Sequence, residues 1–90
     1  MAKALSHPAR IGILKTLEKV GQTSPSSVAS QVSESLPTLA YHMRELRTVG
    51  LIRASGTRPA RGAVEHFYVL TKEGEAAVRA IDAVLSLEPS

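Results

Sequence analysis

Cysteine is absent from the 90 residues, which removes disulfides, thiolate metal sites and a thiol nucleophile together. Aromatic side chains are scarce, with only Tyr41, Phe67 and Tyr68 present. A core built with so few is mostly aliphatic and favours packed helices over a large sandwich. No apolar run is long enough to span a bilayer and no signal peptide is evident, so a cytoplasmic protein without a membrane partner is expected. Catalytic signatures are also missing. No glycine-rich phosphate loop follows a strand, no carboxylates are paired, and no serine or histidine sits in a nucleophile elbow. An enzyme is not expected.

What is present suffices for one small domain, residues 1–90, around a single core, because 43% of the positions are hydrophobic and 21% charged. The net charge of +3 hides an asymmetry. Residues 1–70 carry nine Lys or Arg against four Glu, whereas residues 71–90 carry two against four acids. Five arginines, Arg44, Arg47, Arg53, Arg58 and Arg61, fall between positions 36 and 61, where the one acid is Glu45. Such a local excess suits a polyanion, although a basic isoelectric point by itself is equally that of a solvated surface.

The order of elements narrows the fold. Ser6-His7-Pro8 reads as a helix start with proline at the first helical position, and Ile13, Leu14, Leu17 and Val20 recur at helical spacing before Gly21 ends the run. Ser24-Pro25 repeats the start signal, and Val28, Ala29 and Val32 predict a helix of about two turns. Ser33, Glu34 and Ser35 then make a turn, with Ser35 capping a longer helix from Leu36 to about Val49. At about 100° per residue, Leu39, Met43 and Leu46 form its buried stripe. Pro37, Tyr41, Arg44 and Thr48 fall opposite, and Arg47 and His42 lie on the two flanks. Residues 24–50 therefore read as a helix-turn-helix closed by a left-handed Gly50.

Residues 52–71 read as a β-hairpin. Ile52 to Ser55 predict a short strand and Val64 to Thr71 a second one, with Val64, His66 and Tyr68 on one face. The stretch between them predicts a long basic tip carrying Arg58 and Arg61; a plain flexible surface hairpin is the alternative. Thr71 caps a last helix over about 72–87. Its polar residues make one narrow stripe, and the apolar remainder is about twice as wide as the ~100° that a single core requires. That excess predicts a homodimer through Val78, Ile81, Val84 and Leu85, with the N-terminal Leu5 contributing.

Taken together, HPARIGILKTL, SPSSVASQV, LAYHMRELRTVGLI and HFYVLT resemble the ArsR-type winged helix-turn-helix transcription regulators, from about Leu5 to Leu87. The most specific part is Tyr41-His42-Met43 with Leu46 and Gly50-Leu51, similar to the family's Tyr-His-Leu and Gly-Leu pattern. The resemblance implies an α+β, mainly α fold: a winged helix-turn-helix with a two-stranded wing and a C-terminal dimerisation helix. It further implies double-stranded DNA as partner, the 36–49 helix in the major groove, the hairpin on neighbouring backbone or minor groove, and the first and last helices in a homodimer. Metal-sensing members use cysteines, or histidines and carboxylates on the last helix. Here that helix offers Glu75 and Asp82 without a histidine, so no metal or other cofactor is expected.

Residue chemistry then suggests roles. Ser35 and Thr38 at an electropositive helix start suit a phosphate. Thr38, Tyr41 and Arg44 are candidates for base edges, with Pro37 and Ala40 placed to meet a thymine methyl. Arg47, Arg53, Arg58 and Arg61 suit phosphate or minor-groove contacts, and His42 is a candidate contact balanced against simple packing. A repressor acting as a homodimer on an inverted repeat is the expected function. The alternative, a winged-helix module that binds protein, predicts an apolar face with a polar rim instead of arginines.

Overall fold

The computed structural model describes residues 7–87 in the order α1 (Pro8–Val20), α2 (Pro25–Ala29), α3 (Leu36–Thr48), β1 (Ile52–Ala60), β2 (Ala63–Leu70) and α4 (Lys72–Ser86). Local chemistry accounts for most boundaries. Pro8 opens α1 without a side-chain cap, while the backbone carbonyl of His7 accepts from Arg10 and Ile11. The hydroxyls of Ser24, Ser35 and Thr71 accept backbone N–H groups of Ser27, Thr38 and Gly74 at the starts of α2, α3 and α4. After α3, Gly50 adopts φ 83°. Its N–H reaches the Arg47 carbonyl and that of Leu51 reaches Leu46, the paired bonds of a Schellman motif with Leu46 and Leu51 both fully buried.

The core joins Ile13, Leu14 and Leu17 of α1 to Leu39, Met43 and Leu46 of α3, closed by Leu51, Ile52, Tyr68, Ala77 and Val78. This burial fixes which side of α3 faces outward. The fold is the expected winged helix-turn-helix, mainly helical, with one two-stranded antiparallel sheet.

Three expectations are corrected. The second helix is only five residues long. Val28 alone is sunk into the core and Val32 is exposed in the turn, so no apolar contact extends the helix further. The hairpin does not have a long tip. Strand pairing runs through Thr57↔His66, Arg58↔Glu65 and Pro59↔Val64 to Ala60↔Ala63, leaving Arg61 and Gly62 as the turn. Both have positive φ, 50° and 78°, the geometry that matches the twist of a tight hairpin. Gly56 and Pro59 are tolerated because a bulge at Ser55 absorbs the irregularity and a two-stranded sheet leaves each strand with an open edge.

The third correction concerns α4. Val78 is 1% exposed and lies in the chain's own core, so it is not available to a second chain, and Ile81 is half-buried against the same core. Val84 and Leu85 are exposed, and Leu5 lies outside the described residues. Thr23, for which the sequence predicts no strand, pairs through its backbone with Tyr68 in both directions and ties the start of the helix-turn-helix to β2.

Candidate nucleic-acid interface

The outward face of α3 is built from its first turn onward. Ser35 caps the helix, and its hydroxyl also donates to Thr38 Oγ1 at 2.8 Å. Pro37 occupies the first turn without loss because its missing N–H has no helical partner there. One turn on, Tyr41 is exposed and donates from its hydroxyl to Glu45 Oε1 at 3.4 Å. Arg44 and Arg47 are exposed as well, and Thr38 is half-buried. The structure therefore leaves Pro37, Tyr41 and Arg44 exposed on the side of α3 away from the core, with Ser35 at its start, Thr38 on one flank and Arg47 on the other, and neither arginine is paired to a carboxylate among the described residues.

His42 does not join them. It is 7% exposed and turned inward, where Nδ1 accepts from Arg10 Nε at 3.0 Å. His7 stacks at a tilt 5.2 Å away between ring centroids. The expectation of a DNA contact at His42 is corrected: the α1 arginine claims its free lone pair. Sequence reading misses Arg10 because a partner 32 positions away leaves no local pattern. The Arg10 guanidinium also lies 5.8 Å from the centre of the Tyr41 ring, so one buried cation braces two consecutive residues of α3.

Burial and the Arg10 charge hold the His42 pKa below its usual value, as does His7, while Glu34 opposes them. Neutral His42 is thus the form the fold prefers. Its contribution is complete above the pKa of an unfolded histidine, about 6.5, and is lost as pH falls through the lower folded value. Thermal melts are therefore expected to lose stability as pH falls below about 6.5. In His42→Gln, whose amide oxygen can still accept from Arg10, that loss should shrink; an unchanged slope would assign it elsewhere.

On the hairpin, register brings Arg58 opposite Glu65. Arg58 Nη2 donates to Glu65 Oε1 at 2.7 Å and its guanidinium lies over Phe67, 5.2 Å from the ring centre. The other carboxylate oxygen accepts from Ser26 Oγ at 2.8 Å and from Ser24 Oγ. These serine hydroxyls, with Arg58, pull the Glu65 pKa down to about 2. Glu65 thereby clamps the hairpin onto α2. Arg58 remains accessible, but its charge is largely answered within the chain. Arg61, at the turn, is exposed and has no carboxylate partner among the described residues.

A family described as a helix-turn-helix domain matches residues 5–54. The chain belongs to this family. Among solved structures, the transcriptional repressor BigR from Xylella fastidiosa is 26% identical, with 99% of this chain and 85% of that one covered at a TM-score of 0.71. An ArsR family transcriptional regulator is 28% identical over 93% of this chain and 80% of its own, with a TM-score of 0.64. HlyU from Vibrio cholerae N16961 is 26% identical, covering 92% and 85%, at 0.69. No curated protein sequence matches. The chain is thus a helix-turn-helix protein of the ArsR type, and its resemblance at Tyr41-His42-Met43 includes a histidine with an inward structural task. Among the described residues, no three His, Cys, Asp or Glu side chains converge on a metal-sized site, and no helix is long and apolar enough to cross a membrane.

Proposed function

We propose that this protein is a sequence-specific, double-stranded DNA-binding transcriptional regulator that acts as a homodimeric repressor on an inverted repeat in the cytoplasm. The observation that carries the reading is the side of α3 opposite the core. Tyr41, Arg44 and Thr48 stand exposed there, with Arg47 exposed on the flank toward the hairpin, on a helix whose N-terminus is capped and open. Inserted in the major groove, α3 presents Thr38, Tyr41 and Arg44 to base edges, with Arg44 able to fork onto a guanine. Ser35 and the first N–H groups of α3 meet a phosphate, Pro37 meets a thymine methyl, and Arg47 and Arg61 meet backbone. Arg58 assists less, because Glu65 holds it. BigR is described as a repressor, which supports that direction of regulation.

Selection of bound fragments from random duplex DNA tests the reading. An enriched inverted repeat with half-sites about one helical turn or more apart is expected; enrichment of nothing would favour a module that binds protein. On the selected site, Arg44→Ala should weaken binding by about 1–3 kcal/mol and relax preference at one base pair. Arg61→Ala should weaken all sequences alike and lower the salt slope by about one, whereas Arg58→Ala should change that slope less. Equal slopes for the two hairpin variants would contradict the role given to Glu65.

A further inference from the structure

Between α3 and the hairpin lies a groove of about 500 Å³, a size typical of small-molecule sites. Leu36 and Ala40 form one wall, Ala63 and Val64 the other, and Arg44 and Arg47 line it as well. We infer that this groove binds an amphipathic organic anion, a carboxylate on an aromatic or aliphatic body, and that its occupancy excludes DNA.

Charge complementarity selects this occupant. Arg44 and Arg47 bring two positive charges to a largely apolar concavity in which Ser26, Glu65, His66 and Tyr68 are the other polar side chains, and neither arginine meets a carboxylate among the described residues. Glu65 also lines the groove, but Ser24, Ser26 and Arg58 occupy its carboxylate. It is therefore not the counter-ion of the other two arginines. A neutral ligand would fill the walls and leave both guanidinium groups unanswered. A carboxylate can accept two parallel N–H bonds from one guanidinium while its body covers Leu36 and Val64. The exclusion of DNA rests on the function proposed above, since the same arginines are its phosphate and base contacts; the binding site itself does not.

The test is a titration of the full chain with 2-naphthoate, using uncharged 2-naphthamide as the comparison, followed by amide NMR shifts. Naphthoate is expected to shift residues of α3 and of the 63–66 stretch, and naphthamide to bind at least about tenfold more weakly, the loss that one charge-assisted bond represents. The double variant Arg44→Gln, Arg47→Gln should lose naphthoate by a similar factor with its spectrum otherwise folded. Ala63→Glu, at an exposed position, should repel the anion. No shift at millimolar naphthoate, equal binding of acid and amide, or shifts centred on α4 would each overturn the site. With the selected DNA present, naphthoate should lower its affinity; a ternary complex at saturating naphthoate would overturn the exclusion. If no DNA is selected at all, the direct titration still decides the site.

Discussion

Gly74→Ala is expected to destabilise the fold by about 3 kcal/mol, against the usual gain of up to about 1 kcal/mol when a helical glycine becomes alanine. The reason is a close approach of backbone to backbone. A Cβ at position 74 would stand 2.0 Å from the Leu51 carbonyl oxygen and 3.1 Å from Leu70 Cδ2. The carbonyl belongs to the corner that ends α3 and cannot swing aside like a side chain. Instead α4 must lift, straining the Thr71 hydroxyl bond to the Gly50 carbonyl at 2.6 Å and the Thr71 N–H bond to Leu51 at 3.1 Å. For a domain of this size the loss corresponds to a fall in Tm of more than about 10 °C. Gly12→Ala is the internal control. It also lies within a helix, but nothing stands within 4 Å of its Cβ, so the ordinary gain is expected. If both variants melt alike, the packing of α4 on the α3 corner is not as described.

This contact also shows where sequence reading stops. Gly21 and Gly50 are legible because a helix end needs a left-handed residue at a definable position. Ser24, Ser35 and Thr71 are legible because a cap bonds within three residues. Gly74 has an unremarkable helical backbone, and its necessity comes from Leu51, more than twenty positions earlier in the chain. The hairpin fails for a related reason. Gly56, Pro59 and Gly62 all read as loop, yet cross-strand pairing overrides the first two and only Arg61-Gly62 turns.

The candidate interface divides along the same line. Pro37, Tyr41, Arg44 and Thr48 are found on the outer side of α3 because helical periodicity needs only the apolar stripe to be known. Whether their charges are free is a tertiary question. Arg58 and Arg61 are equivalent in the sequence, but a two-residue turn places Arg58 opposite Glu65 and leaves Arg61 without a carboxylate partner among the described residues. His42 shows the opposite limit. Its flank position is read correctly, while the side it takes is decided by Arg10.

Val84→Glu is expected to convert the proposed homodimer to monomers and to weaken operator binding by roughly 10²- to 10⁴-fold, the avidity that linking two half-site contacts supplies. The structure divides the broad apolar surface of α4 in two. Gly74, Ala77, Val78 and Ile81 follow one line into the chain's own core, whereas Ala80, Ala83, Val84 and Leu87 follow a second line that is exposed. Val84 is 61% and Leu85 52% exposed, and Leu85 continues the core line one turn beyond Ile81. A two-fold axis would repeat any substitution, so Val84→Glu would bring two carboxylates into one apolar contact without pairing. In the separate chain the same change removes no core contact and improves helix propensity slightly. Circular dichroism should therefore be unchanged while sedimentation reports half the mass. Ile81→Glu is a poorer probe, because its half-buried side chain packs on the core and would unfold the domain as readily as separate a dimer. A Val84→Glu protein that still sediments as a dimer would move the interface off α4, and one that is monomeric yet binds the inverted repeat undiminished would remove the dimer from the mechanism.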